Sequence, residues 1–252
     1  MITHDIVITT FNSYKYIDNI YRFVFNNIQN YSKIIIVDDC SEKKFVSHLK
    51  TRLISFSNII FFENKYNLGP SASRNLGIKL SNSNYVSFYD PDDYVFKERF
   101  EIIDFYINKF KPKVLFHDYT TKKTKVDLNG KHKIHNGFLY LFKSLYVTPA
   151  FTCKRDLLEK VGGYNENIRY AEDLDLYIRL KESNNFLFIN QKLVKISSKE
   201  ERIKDNSHLS SNIFLMRKSI NKILFSKVYP IRINSIFFVF ALLFNILKSL
   251  ID

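Results

Sequence analysis

Short runs of apolar residues recur in the first part of the chain, and each is followed by polar or acidic residues. The runs lie at residues 5–9, 33–37, 58–62 and 85–89. Segments with helical spacing separate them, at residues 14–27, 42–55 and 68–80. Apolar strands that alternate with helices are typical of a parallel α/β sheet covered on both faces. Thr9, Asp38, Asp39 and Asp90 stand at the carboxyl ends of three runs, the edge where open α/β sheets bind ligands.

Acidic residues crowd the turns that follow two of these runs. Asp90 and Asp92 can face one point and hold a hard divalent cation, with water and ligand phosphates at its other positions. The alternative interpretation makes Asp92 or Asp93 the N-cap of the helix that follows. Asp38 and Asp39 also allow two interpretations. A carboxylate at a strand end can bind a base or a ribose, or it can cap the helix that follows.

Two helix starts carry further candidate groups. The segment NLGPSASRNLG places Arg74 about one turn into a helix, where guanidinium and backbone N–H groups suit phosphate recognition. A surface arginine on a well-packed helix is the alternative, and the segment lacks the glycine spacing of dinucleotide-binding and P-loop motifs. Glu172 and Asp173 begin a later helix, and a carboxylate held there is a candidate general base. Asp175 and Arg179 are expected to pair on the surface of that helix.

The net charge of the 252-residue chain is +13, and the excess is confined to two stretches. Residues 109–133 carry eight basic and two acidic side chains, and residues 192–232 carry ten basic and three acidic ones. In the rest of the chain the numbers of basic and acidic side chains are equal. A basic surface favours anionic partners such as nucleic acid, anionic lipid or phosphorylated small molecules. No helix-turn-helix, zinc-finger or RNP pattern accompanies the charge, so nucleic acid is not expected as a partner.

The second basic stretch runs into an apolar segment at residues 236–247, which is too short for a membrane-spanning helix. Before it, an amphipathic helix is predicted with basic side chains on its polar faces. Its apolar face carries Ile213, Met216, Ile220, Ile223 and Leu224. Two interpretations stay open: a protein lying on an anionic membrane surface, and a C-terminal helix packed on the core.

Two cysteines, Cys40 and Cys153, are too few for a disulfide scaffold, and residues 1–4 show no signal-peptide pattern. The sequence therefore predicts a cytoplasmic protein, peripheral on the inner face of the cytoplasmic membrane if the basic tail binds lipid. His208 is expected to be a lone surface histidine rather than a metal ligand. No internal repeat or linker is visible, which favours one catalytic domain at 1–200 and a basic extension at 201–252.

Taken together, five segments of the chain resemble the family 2 glycosyltransferases, a large inverting group with the GT-A fold. In chain order they are VITTFNSYKYI, IIIVDDCS, NLGPSASRNLGI, YVSFYDPDD and VGGYNENIRYAEDLDLYIRL. The resemblance implies a mostly parallel, Rossmann-like sheet flanked by helices, as in nucleotide-diphosphosugar transferases. The nucleotide-binding half would cover about 1–110 and the acceptor-binding half about 111–200, with the basic helical C-terminal extension outside the motifs.

The resemblance also implies which residues bind the nucleotide. Thr9 and Phe11 would line the nucleotide pocket, and Asp39 would hydrogen-bond the base, typically uracil, with Asp38 beside it. Arg74 would approach the nucleotide or its diphosphate.

The remaining roles follow from the family's two acidic motifs. Asp90 and Asp92 match its D-x-D and would bind Mn²⁺ or Mg²⁺ bridging the donor diphosphate. Asp173, preceded by Glu172, would be the catalytic base. Ala171 departs from the pattern, because the family often has glycine there.

The implied activity is a metal-dependent, inverting transfer of a hexose from a nucleotide sugar onto a glycan acceptor. The donor would be a UDP-hexose or a UDP-N-acetylhexosamine, and the acceptor a lipid-linked O-antigen, capsule or lipooligosaccharide intermediate. The alternative is a non-catalytic nucleotide-sugar-binding member that acts in an assembly complex. Asp90, Asp92 and Asp173 argue against that alternative, because a decayed site tends to lose its carboxylates.

Overall fold

One continuous β-sheet organises the computed structural model, which describes residues 2–122, 132–135, 147–180, 185–197 and 213–225. Its strands are β1 (His4–Thr10), β2 (Ile34–Asp38), β3 (Ile59–Glu63), β4 (Tyr85–Tyr89), β5 (Tyr94–Val95), β6 (Val114–Thr120), β7 (His132–His135), β8 (Phe151–Lys154) and β9 (Phe186–Lys195). Within the described ranges the order is β3-β2-β1-β4-β8-β6-β9-β5, and β7 also pairs with β9. The block β3-β2-β1-β4 is parallel throughout.

Helices cover both faces of the sheet. They are α1 (Ile17–Asn27), α2 (Lys43–Leu53), α3 (Pro70–Leu80), α4 (Arg99–Phe110), α5 (Arg155–Lys160), α6 (Glu172–Leu180) and α7 (Ile213–Phe225). Successive residues of a strand point to opposite faces, so Ile6 and Ile8 of β1 pack with α1 and α2. Val7, between them, packs on the other face in a cluster that includes residues of α3, α5 and α6. Both faces of β1 are therefore buried, which explains why its run is apolar without alternation.

Helix α3 lies unusually close to β1. A Cβ atom at Gly77 would stand 2.3 Å from Cγ1 of Val7, so a larger residue would push the helix off the strand. At the other end, Gly69 has a φ of +88°, and Pro70 opens the helix at a position that suits proline. The start of α3 is thus fixed at the carboxyl edge of the parallel strands.

The second half of the chain extends the same sheet with mixed strand directions. Strand β8 is antiparallel to both neighbours, and Cys153 pairs with Val86 of β4 on one side and with Val114 of β6 on the other. The hydroxyl oxygens of Ser87 and Thr152 lie 2.6 Å apart across the first of these pairings. Strand β6 then runs parallel to β9, with register shifts near Asp118. The two halves of the domain therefore share one sheet.

A buried arginine links α4 to β6, to Tyr31 and to the short turn before β8. Arg99 is fully buried and donates hydrogen bonds to His117 Nε2 at 3.0 Å, the Tyr31 hydroxyl at 2.9 Å and the Pro149 carbonyl at 2.9 Å. Burial and the adjacent guanidinium lower the pKa of His117 well below its ordinary value, so its ring accepts this hydrogen bond as a neutral group. The short turn at Thr148–Ala150 is fixed by these contacts.

The α/β sheet flanked by helices that the sequence predicts is confirmed. The helix expected over 14–27 begins as a 3-10 turn at Tyr14–Tyr16, and the one expected from residue 68 begins at Pro70. His208 and the apolar segment 236–247 lie outside the described residues. In the part of the chain that the structure describes, no helix is long and apolar enough to span a bilayer.

Candidate active site

A cleft of about 1240 Å³ opens at the carboxyl edge of the parallel strands. The sequence-predicted residues that line it are Thr9, Phe11, Asp39, Arg74, Asp90, Asp92, Glu172 and Asp173. A smaller pocket of about 620 Å³, beside Asn84 and Lys111, contains none of them. One cleft therefore collects groups that are spread over most of the described chain.

Asp39 organises the loop that forms one end of the cleft. Its Oδ1 accepts hydrogen bonds from Asn64 Nδ2 and from the Leu68 backbone N–H, both at 2.9 Å, and its Oδ2 accepts from the Gly69 N–H at 2.7 Å. An ionised carboxylate offers about four acceptor positions, so one direction on Oδ2 remains for a ligand donor. Phe11 lies on the same cleft with half of its side chain exposed, a surface suited to a flat ring.

Asp38 is turned away from the cleft and holds the turn behind it. Its Oδ1 accepts from the Thr10 hydroxyl at 2.8 Å and the Ser41 hydroxyl at 2.6 Å, and its Oδ2 accepts from the Ser41 N–H at 2.8 Å. Cys40, inside this turn, has a φ of +65°. The contacts of Asp38 fix the backbone that presents Asp39, and its expected place beside the base stays a prediction.

The acidic turns do not cap helices, so the capping interpretations are wrong. Helix α2 has Glu42 at its N-cap and α4 has Glu98, and neither side chain bonds the helix backbone. After β4 the chain makes a tight turn instead, in which the Asp93 N–H donates to the Asp90 carbonyl at 3.0 Å. This turn carries both Asp90 and Asp92 into the cleft.

Arg74 joins the two acidic regions of the cleft. It is 7% exposed, so the interpretation as a surface arginine is wrong. Its Nη1 donates to Glu172 Oε1 at 2.8 Å, and its Nη2 donates to Asp90 Oδ1 at 3.1 Å. Although burial disfavours the charged form, Asp90 and Glu172 hold the pKa of Arg74 well above its ordinary value. The guanidinium therefore remains a permanent cation between the two carboxylates.

Burial raises the pKa of two carboxylates in the cleft. It raises the pKa of Asp173 to about 7, and the neighbouring Glu172 carboxylate adds to the shift. Burial also raises the pKa of Asp90, where Asp92 adds to the shift and Arg74 opposes it. A carboxylate with a pKa near 7 is suited to accept and release a proton at neutral pH.

Asp173 owes its place to an unusual backbone conformation. Ala171, directly before α6, has a φ of +59°, the left-handed region that favours glycine. The conformation turns the chain so that Glu172 reaches Arg74 while Asp173 lines the cleft. The departure from the family pattern at Ala171 thus leaves the turn intact and places it under backbone strain.

The pair predicted on the surface of α6 is present but buried on one side. Arg179 donates from Nε at 2.9 Å and from Nη2 at 2.7 Å to Asp175 Oδ2. Asp175 is fully buried, and Arg179 also donates to the Val161 carbonyl. The expectation of a surface pair is wrong, because α6 packs this side against the turn after α5.

The donor set of the cleft fits a hard divalent cation shared with a ligand. Among the described residues, no group of three or more His, Cys, Asp or Glu side chains is placed to hold a metal by itself. Asp90 and Asp92 supply two carboxylates, one of which also meets Arg74. Mg²⁺ in proteins commonly takes one or two carboxylates and completes its shell with water and phosphate oxygens, which matches this set.

Several groups in or next to the cleft are not predicted by the sequence motifs. Among the described residues, the buried Ser71 hydroxyl on the cleft has no hydrogen-bond partner, and neither has the buried hydroxyl of Tyr164, whose ring lies beneath Arg74. Asn64 braces Asp39, and Met216 of α7 reaches the cleft wall. Only the placement of Ser71 at a helix start offers a signal in the sequence. The others depend on contacts between distant parts of the chain.

The chain belongs to glycosyl transferase family 2, whose model matches residues 5–165. An uncharacterized glycosyltransferase of Rickettsia felis is 31% identical over 217 residues, which cover 80% of this chain and 34% of that protein. The minor teichoic acid biosynthesis protein GgaB of Bacillus subtilis is 28% identical over 167 residues, covering 60% of this chain and 17% of that protein. The chain thus spans about a third of the length of the first relative and about a sixth of the second.

Solved structures show the same fold. Residues 1–349 of S. aureus TarS, in complex with UDP-GlcNAc, superpose with a TM-score of 0.69 at 18% identity. The match covers 90% of this chain and 68% of that one. The expected GT-A fold is therefore confirmed.

Replacing Ala171 by glycine should relieve the strain before α6. An L-residue in the left-handed region costs about 1–2 kcal/mol, which glycine would not pay. Part of this stabilisation is lost again, because glycine also makes the unfolded chain more flexible. We expect Ala171→Gly to raise the free energy of unfolding in urea by about 0.5–1 kcal/mol. Ala72→Gly in α3, where the conformation is helical, should lower it; a fall for both variants would contradict the strain at Ala171.

Proposed function

We propose that this protein is a metal-dependent, inverting glycosyltransferase that moves a hexose or N-acetylhexosamine from a UDP-linked donor onto a glycan acceptor. One observation carries the proposal. Arg74 bridges Asp90, in the D-x-D turn, to Glu172, next to Asp173, so the residues of both family motifs meet in a single cleft. The UDP-GlcNAc complex of the structurally similar TarS supports UDP as the nucleotide.

The donor would lie along the cleft from Asp39 to Asp90. The free direction on Asp39 Oδ2 suits an N–H donor such as the uracil imide, and Phe11 offers a face for the base. Thr9 lines the cleft between these groups and the diphosphate end. Asp90 and Asp92 would hold Mn²⁺ or Mg²⁺, which supplies positive charge to stabilise the departing diphosphate.

The transfer step needs one base and no nucleophile from the protein. Asp173 accepts the proton of the acceptor hydroxyl while that oxygen bonds to the anomeric carbon and the bond from that carbon to the diphosphate oxygen breaks. Attack from the face opposite the leaving group inverts the anomeric configuration. Glu172 is held by Arg74 at 2.8 Å, which leaves Asp173 as the carboxylate available for the proton.

The acceptor is proposed to be a growing, lipid-linked glycan. The similarity to GgaB, named for teichoic acid biosynthesis, supports a polymeric product. Helix α7 supports a membrane-bound acceptor, because it places Met216 at the cleft while Phe214 is 74% exposed and Lys218 and Lys222 face solvent. Exposed aromatic and basic side chains on one helix are typical of contact with an anionic membrane surface.

Calorimetric titration of UDP tests the donor site. We expect binding that strengthens with Mn²⁺ and that weakens about tenfold or more in Asp92→Ala, because a ligand of the ion is lost. Asp18→Ala removes a carboxylate that is 68% exposed and should bind UDP as the unchanged protein does. Equal binding with Mn²⁺ and with a chelator would contradict the metal-dependent part of the proposal.

The pH dependence of turnover tests Asp173 as the base. With a pKa of about 7, its carboxylate is protonated and inactive at lower pH, so UDP release should fall about tenfold per pH unit below 7 and level off above it. Asp173→Asn should bind UDP normally and lose about a hundredfold or more in turnover. Glu159→Gln, at an exposed pair remote from the cleft, is the matched control. Normal turnover in Asp173→Asn would move the base to Glu172.

Sedimentation with vesicles of phosphatidylglycerol and phosphatidylcholine tests the membrane surface. We expect the protein to sediment with them at low salt, and the double reversal Lys218→Glu with Lys222→Glu to weaken this association. The same reversal at Lys43 and Lys44, exposed on α2, controls for net charge. Absence of binding at low salt, or equal loss in both double variants, would count against α7 as the contact.

A further inference from the structure

Asn75 ties helix α3 to a distant segment of the chain. Its Oδ1 accepts a hydrogen bond from the Tyr164 backbone N–H at 2.7 Å, and its Nδ2 donates to the Tyr164 carbonyl at 2.8 Å. The same Nδ2 donates to Glu166 Oε1 at 2.8 Å. A single amide therefore satisfies both backbone groups of one residue, as a neighbouring strand would, across a separation of 89 residues.

The backbone is shaped to admit this amide. Gly163 has a φ of +63°, and a Cβ atom there would stand 2.3 Å from Asn75 Oδ1. Gly162, before it, also has a positive φ of +79°. The glycine pair thus makes the turn that brings Tyr164 to Asn75, and the absence of a side chain at Gly163 leaves room for the amide oxygen.

The neighbouring residue on α3 holds the far end of the same segment. Arg74 lies over the Tyr164 ring, 5.3 Å from its centroid, and donates to Glu172. Residues 163–172 are therefore fixed to α3 at both ends by two consecutive side chains. The stretch between these ends lines the cleft through Glu166, Ile168, Arg169, Tyr170 and Ala171.

We propose that Asn75 is a positioning residue for transfer: by fixing the turn at Gly163–Glu166 it sets the place of Asp173 and of the adjoining cleft wall. This inference rests on the proposed function, because it takes Asp173 as the base. Asn75 is absent from the residues that line the cleft, so it acts through the segment it holds rather than by contact with the donor or acceptor.

Steady-state release of UDP from UDP-N-acetylglucosamine and UDP-glucose, with Mn²⁺, tests the proposal. Asn75→Ala removes all three hydrogen bonds, and we expect kcat to fall about ten- to hundredfold, because a small misplacement of a reacting group has effects of this order. The dissociation constant of UDP should stay within about twofold, since the groups around Asp39 are untouched. Unchanged kcat in the folded variant, or loss of UDP binding in parallel with kcat, would overturn the proposal.

Asn165→Ala is the matched control. Asn165 lies in the same segment, and its amide oxygen accepts a hydrogen bond from the nearby Asn167 N–H at 3.0 Å, a contact within the segment rather than with α3. The variant removes an amide of the same size and should retain kcat. An equal loss in both variants would show that any disturbance of the segment suffices and would count against a specific role for Asn75.

A charge-compensated pair separates positioning from stability. In Asn75→Asp the new carboxylate still accepts from the Tyr164 N–H, but it cannot donate to the Tyr164 carbonyl and it meets Glu166. Adding Glu166→Gln supplies an amide that can donate to that carboxylate. We expect kcat to be lowest in Asn75→Asp and to recover at least threefold in the double variant. No recovery, in proteins of equal melting temperature, would contradict the proposal.

Hydrogen exchange distinguishes failure of this inference from failure of the proposed function. The Tyr164 N–H should exchange slowly in the unchanged protein and faster in Asn75→Ala, and this readout needs neither a donor nor turnover. Suppose that Asn75→Ala loses the protection of the Tyr164 N–H, while the unchanged protein releases no UDP from any UDP-sugar. The inference about Asn75 would then hold at the level of structure, and the proposed function would be wrong. An equally fast Tyr164 N–H in both proteins would overturn the inference itself.

Discussion

The buried guanidinium of Arg74 is the interaction on which the cleft depends. Four carboxylates from two distant segments, Asp90, Asp92, Glu172 and Asp173, line one cavity, where their mutual repulsion is poorly screened. Arg74 meets one carboxylate from each segment and is itself held against the Tyr164 ring. Removing one partner of such a buried group leaves an uncompensated charge, which costs several kcal/mol, about 3–5. The D-x-D turn and the start of α6 are therefore coupled through one side chain.

Adjacent carboxylates in this protein divide structural and chemical tasks. The carboxylate oxygens of Asp38 accept hydrogen bonds from Thr10 and Ser41, whereas Asp39 keeps one acceptor direction toward the cleft. Glu172 and Asp173 repeat the arrangement, because the first is held by Arg74 and the second is left with a pKa of about 7. In each pair, one acid fixes the backbone or the charge balance so that its neighbour can face a ligand.

Much of the site follows from local patterns, because apolar strands that end in acids place those acids at one edge of a parallel sheet. The start of α3 and the acids at the start of α6 are visible for the same reason. Local patterns cannot show that Arg74 is buried, since its partners lie up to 98 residues away. They also leave the capping alternative open, which only the later starts of α2 and α4 exclude.

The second half of the sheet is the part that local patterns predict least. Strands β6 and β9 carry polar residues and pair with register shifts, and β8 is only four residues long. None of the three therefore shows a clear apolar or alternating pattern in the sequence. Their order in the sheet is set by pairing across the domain rather than by succession along the chain. The aromatic contacts among Phe88, Phe116 and Phe151 that join these strands are likewise formed between separate segments.

The insertion of β8 between β4 and β6 has a consequence for how the chain folds. The block β3-β2-β1-β4 uses crossovers between successive strands and can assemble from the first ninety or so residues, about as far as β4 reaches. The outer edge of β4 then stays unpaired until β8 is made, because Ser87 and its neighbour Thr152 are 65 residues apart. During synthesis this edge is open to pairing with other chains, so the arrival of residues 151–154 is the step that covers it.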